Sequence, residues 1–170
     1  MRTNALSVAN YFIDLANKDK AELRPLKLIK LVYIAYGYAL AILEKSIIDP
    51  RFDRVEAWKF GPVIPSVYHS FKQYGKSPIK AKTTIFIENG DDFSIETPSL
   101  ADGEAKKICS FVWQRYKGKS DSQLVTLLHG AGTPWANVYS DGQNNIIPEE
   151  YTRLYYRGLV EFLLDENHEN

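Results

Sequence analysis

From Pro25 to Lys45 the chain is apolar almost all the way round a helical projection, and no other stretch restricts the fold as strongly. Pro25 stands where a helix can begin, because the N–H it lacks is unneeded at the first helical position. Within the stretch the polar residues Lys27, Lys30 and Glu44, before the closing Lys45, fall on one narrow strip. A helix with so little polar surface must be covered by other elements and belongs at the centre of a core. Its longest apolar run, Leu31 to Leu43, is too short to cross a bilayer and carries Gly37 and tyrosines, so no transmembrane helix is expected.

The segments around it supply the covering. Thr3 or Asn4 caps a first helix to about Lys18, with Ala5, Val8, Phe12, Leu15 and Ala16 on one face and Asn10, Asp14 and Asn17 opposite. Arg54 to Phe60 reads as a short extended piece, and Pro62 and Pro65 impose extended geometry on the residues before them. Pro65 starts a helix carrying Val67, Tyr68 and Phe71, which Gly75 stops. Thr83 to Glu96 reads as a hairpin around Asn89-Gly90. Helical signals resume near Asp102 with Ala105, Ile108, Phe111, Val112 and Tyr116. Ser120 with Gln123 forms a capping box, and Thr133-Pro134 opens a further short helix. Pro148 begins a last helix, about 148–164, whose Tyr151, Leu154, Tyr155, Gly158, Leu159, Phe162 and Leu163 are expected to dock on the core, with a frayed tail after it. The chain is therefore mainly α: a compact bundle of about six or seven helices with one small β-hairpin, in a single domain over residues 1–170.

Composition narrows the function. The chain is 45% hydrophobic and 25% charged, which excludes disordered and low-complexity classes. Cys109 has no partner for an internal disulfide and neither end reads as a secretory leader, so a cytoplasmic protein is expected. Net charge is zero, yet the halves differ, with 14 basic and 7 acidic residues in 1–85 and the reverse in 86–170. Between Ala57 and Ile87 there are five lysines (59, 72, 76, 80 and 82) and no acid. Such a segment attracts an acidic protein or a nucleic acid, or simply keeps a surface solvated.

Signatures of covalent chemistry are missing. No phosphate-cradling glycine loop, nucleophile elbow or zinc-ligating spacing occurs, and one cysteine with three scattered histidines is too few for a metal site. No cofactor is expected. Cys109 with His129 is the one conceivable nucleophile pair, but Cys109 lies in an apolar helix stripe and reads as a buried small hydrophobe. His69 reads as a helix-surface residue. Aromatic residues stand out instead. Trp58, Phe60, Tyr68 and Trp135 belong to short segments bounded by Pro and Gly, where the backbone fixes the ring direction, although each is also explained by core packing.

Two blocks, Leu26-Lys27-Leu28-Ile29-Lys30-Leu31-Val32-Tyr33-Ile34-Ala35-Tyr36 and Glu56-Ala57-Trp58-Lys59-Phe60-Gly61-Pro62-Val63-Ile64-Pro65-Ser66-Val67-Tyr68, followed by a third, His129-Gly130-Ala131-Gly132-Thr133-Pro134-Trp135, resemble the Panacea domain family, which includes the GepA and SocA-like antitoxins associated with phages and mobile elements. The resemblance covers about residues 5–140, and Leu128 departs from it, standing where the family has a small hydroxyl residue before the histidine. It implies a mainly helical antitoxin, not an enzyme, that neutralises a cognate protein toxin, often encoded beside it, by direct contact. It also implies that Trp58, Lys59, Phe60, Gly61, Pro62, Pro65, Tyr68, His129, Pro134 and Trp135 form or support the partner-binding surface. Two other readings compete: a nucleic-acid-binding regulator using the segment Lys59 to Lys82, and an enzyme built on His129 and a carboxylate.

Overall fold

The computed structural model describes residues 4–168. Among these, seven α-helices are present: α1 (Ala5–Lys18), α2 (Pro25–Ile42), α3 (Pro65–Phe71), α4 (Gly103–Tyr116), α5 (Asp121–His129), α6 (Pro134–Val138) and α7 (Glu149–His168). Five short strands join them: β1 (Glu56–Trp58), β2 (Gly61–Val63), β3 (Ile85–Asn89), β4 (Asp92–Glu96) and β5 (Asn145–Ile146). The mainly α expectation holds. Asn4 caps α1, accepting from the Ser7 N–H at 2.9 Å, while Thr3, the alternative cap, lies outside the described residues. Asp102, Ser120 and Thr133 cap α4, α5 and α6 through their side chains, the Ser120–Gln123 pair as a full capping box.

Helix α2 runs through the centre, enclosed by α1, α4 and α7. By length and composition alone it is apolar enough to cross a membrane, but 83% of it is buried inside the protein, as a core helix is. Gly37 sets its closest approach. A Cβ there would meet the Tyr156 ring of α7 at 2.3 Å, so glycine lets α7 lie directly against α2. Tyr33, also on α2, reaches Thr152 of α7 at 3.2 Å, and Tyr38 bonds Tyr116 of α4 at 2.9 Å. Asp53 ties three pieces together: its carboxylate accepts from the Ala5 N–H that opens α1, from the Asp49 N–H and from the Ser66 hydroxyl in α3.

Several expectations need correction. The narrow polar strip of α2 is covered at Lys27 and Lys30. Lys27 is buried and donates to the Lys117 and Lys119 carbonyls at the end of α4, each at 2.6 Å, and Lys30 is fully buried. Asn10 is buried, not on an exposed face. On α4 it is Trp113 that is buried, donating to Asp19 at 2.8 Å, while Phe111 is exposed. On α7 Tyr155, Leu159 and Leu163 pack on the core as expected, joined by Thr152, Tyr156 and Val160, whereas Tyr151, Leu154 and Phe162 face solvent. That helix continues to His168, where a frayed tail was expected.

The hairpin is present as β3–β4, with Asn89 paired to Asp92, so the two loop residues are Gly90 and Asp91. Gly90 has φ +64, the conformation a type II′ turn requires at its first loop position. A second sheet was not foreseen. Strands β2, β1 and β5 form it in that order, all antiparallel, with Trp58 opposite Gly61 and Ala57 opposite both Pro62 and Asn145. Pro62 is tolerated because β2 is an edge strand, where no ladder bond from its nitrogen is needed.

Candidate functional site

The sheet and its flanking helices gather the residues of the motif blocks. The β1–β2 turn, Lys59-Phe60, projects from the sheet with both side chains exposed. Trp58 and Tyr68 meet edge to face, ring centroids 4.8 Å apart. Together with Pro25, Leu26 and Ile29 of α2, with Val63, and with Lys59 and Lys72 beside them, these rings wall a cleft of about 290 Å³. Its walls are apolar and aromatic. Its cations are Lys59, Lys72 and the buried Lys30. Phe60 lines it while remaining 59% exposed.

The block His129 to Trp135 forms the backing. Thr133 caps α6, Pro134 is buried in its first turn, and Trp135 is thereby aimed at β1, where its indole N–H donates to the Trp58 carbonyl at 2.7 Å. Trp135 is stacked between the His129 ring at 3.9 Å and the Tyr139 ring at 4.4 Å. Trp58 is held from its other end, its own indole N–H donating to Glu56 at 2.7 Å, and Glu56 is in turn paired with Arg54 at 3.0 Å. The Glu56 bond sets the direction of the Trp58 ring, and the bond to the Trp58 carbonyl, 77 positions away in sequence, sets that of the Trp135 ring. Pro65 opens α3 and so places Tyr68 one turn later, against Trp58.

Beneath the turn lies Lys30, whose ammonium donates to the Pro62 carbonyl at 2.9 Å. Among the described residues no acid pairs with it, and burial lowers its pKa to about 7. Gly61 has φ +106, and a Cβ on it would stand 3.1 Å from Lys30 Nζ and 3.5 Å from His129 Nε2. Both the backbone angle and the space thus demand glycine. His129 Nε2 is enclosed without a hydrogen-bond partner, and its pKa is lowered by burial and then by the nearby Lys30. The pocket beneath the motif is an electropositive, partly unsatisfied polar spot under an apolar cleft.

This arrangement brings all ten motif residues into one region: Trp58, Phe60 and Tyr68 with Lys59 as walls, Gly61 and Pro62 as the support above Lys30, Pro65 as the helix start, and His129, Pro134 and Trp135 as backing. It does not give His129 a carboxylate partner, which the enzymatic reading required. Cys109 is fully buried in α4, and burial pushes its thiol up to about 12, the opposite of an activated nucleophile. Among the described residues no three His, Cys, Asp or Glu side chains come together as metal ligands. Lys82 of the basic segment is paired with Asp14 at 3.0 Å. Lys30 was missed as a site residue, although its signal was visible: a cation set among apolar residues in a helix that must be covered on nearly every side is buried and bonded for a reason.

The motif blocks that resemble the Panacea domain thus lie in order on a mainly helical bundle and meet around one aromatic cleft. The model of the family described as antitoxin SocA-like, Panacea domain, matches residues 28–136, and the chain belongs to that family. Among characterised proteins it is similar to antitoxin SocA of Caulobacter vibrioides (strain NA1000 / CB15N), at 33% identity over 140 residues, covering 82% of this chain and 71% of the relative. No solved structure matches it.

Proposed function

We propose that the chain is a non-enzymatic antitoxin that neutralises a protein toxin by direct contact, the toxin seating an apolar side chain flanked by carboxylates in the cleft of Trp58, Phe60 and Tyr68. The observation that carries this reading is the cleft itself. It is walled by residues of the motif block, its Trp58 ring is fixed in direction by the bond to Glu56 and by edge-to-face contact with Tyr68, and lysines stand around it. Fixed aromatic walls lose little rotamer freedom when a partner docks, which is what binding hot spots require. Lysines beside an apolar cleft favour acidic flanks on the incoming segment and speed its encounter.

The test is co-expression with the product of the adjacent gene. The wild-type chain is expected to restore growth and to form a purified complex. Phe60→Asp, at an exposed side chain, is expected to abolish rescue and weaken binding by roughly 100-fold while leaving the melting temperature within about 2 °C of wild type. Rescue by Phe60→Asp at the wild-type level overturns the assignment of the cleft, and no complex with the wild-type chain overturns the toxin reading.

A further inference from the structure

The β3–β4 hairpin stands apart from the motif cleft and carries three of the four most exposed large apolar side chains among the described residues, the other being Phe52. Phe86, Phe93 and Ile95 are 78%, 73% and 65% exposed. The register puts them on one face: Phe86 lies opposite Ile95, and Phe93 lies opposite Glu88, two residues from Phe86. The other face, with Ile85, Ile87, Ser94 and Glu96, is half-buried. The apolar outer face is therefore contiguous, and a hairpin of two strands leaves its edges open as well.

The arm is held firmly at its root. Asn10 of α1 is buried and its side-chain amide bonds both ends of the hairpin: its carbonyl accepts from the Thr83 N–H at 2.9 Å, and its NH₂ donates to the Thr83 and Pro98 carbonyls at 3.1 and 2.9 Å. A surface presented by a rooted arm loses little freedom on binding.

Charge decides what covers it. From Thr83 to Ala105 there are six acids and no basic residue, and four of those acids, Glu88, Asp91, Asp92 and Glu96, belong to the hairpin. Glu88 sits among the three apolar side chains. A second copy of the chain laid on this face would bring two Glu88 carboxylates and two acidic tips together, which like-charge repulsion disfavours. We infer that the β3–β4 hairpin is a second docking arm for the toxin, inserting Phe86, Phe93 and Ile95 into an apolar groove bordered by lysine or arginine side chains. The inference rests on the antitoxin reading and specifies a partner surface opposite in charge to the segment that enters the cleft.

The experiment is calorimetric titration of the purified adjacent-gene product with the full-length chain and its variants. Phe86→Ser/Phe93→Ser/Ile95→Ser is expected to weaken binding roughly 100-fold. Glu88→Lys, which keeps the apolar side chains, is expected to weaken it about tenfold at 50 mM salt and clearly less at 500 mM. Unchanged affinity for both, with Phe60→Asp still impaired, overturns the arm while leaving the antitoxin reading standing. Absence of any complex with the wild-type chain sinks both. A wild-type dimer in sedimentation that the triple variant converts to monomer assigns the face to self-association and overturns the proposal.

Discussion

Lys30 is a cation with no counter-charge at the base of the family motif, and that has a thermodynamic signature. Burial lowers its pKa from 10.5 to about 7, so above pH 7 the unfolded chain holds a proton on this residue that the folded chain does not. Stability therefore rises with pH from about 7 toward 10.5, by up to about 1.4 kcal/mol per pH unit, while below pH 7 both states are protonated and the full cost of the buried charge is present. Cys109 acts in the opposite sense, since its thiol is held protonated up to about 12 in the fold but ionises near 9 when unfolded. The clean window is thus pH 7 to 8.5. Urea unfolding across that window is expected to show a gain of roughly 1–2 kcal/mol for the wild type and a nearly flat profile for Lys30→Met. A slope that survives in Lys30→Met assigns it to another group. Gly61 belongs to the same device, because any side chain there meets the ammonium.

At the scale of elements, one asparagine decides whether the hairpin is an arm or a loose loop. Asn10→Ala leaves the Thr83 N–H and the Thr83 and Pro98 carbonyls without their partner and is expected to cost about 1–3 kcal/mol. Amide exchange is expected to accelerate across residues 83–98 and to stay unchanged in α2; uniform acceleration contradicts a local root. The sequence makes elements with local signals readable: the caps at Asn4, Ser120 and Thr133, the prolines that open α2, α3 and α6, and the hairpin around Gly90 all act within a few residues. The β2–β1–β5 sheet depends on strands of two or three residues, one of them arriving 87 positions after its neighbour, and no local pattern carries that pairing. Helix α7 is apolar on too many sides for periodicity to select a face. What selects it is Gly37 on another helix, where the Tyr156 ring fits. Of the site, the aromatic residues were readable from the motif blocks and the burial of Lys30 was signalled by its apolar surroundings, whereas the carbonyls that Lys30 and Asn10 bond were not readable, because they lie on distant segments that no local pattern names.

For the whole molecule, zero net charge conceals an uneven distribution of charge. Lys59 and Lys72 stand at the cleft, and Glu88, Asp91 and Asp92 stand at the tip of the arm. A partner that engages both must carry the complementary distribution, and such a pair is guided into register by its fields before it touches. Exposed charges of this kind act mainly on encounter and are screened within about 8 Å at physiological salt, whereas the apolar contacts that hold the complex together are insensitive to screening. Stopped-flow association with the adjacent-gene product is therefore expected to slow by about tenfold between 50 and 500 mM salt, with dissociation changing by no more than about threefold. Lys59→Glu/Lys72→Glu is expected to reproduce much of that slowing at low salt and to show a shallower salt dependence. Association that is indifferent to salt contradicts steering by either surface and leaves the aromatic cleft alone to account for recognition.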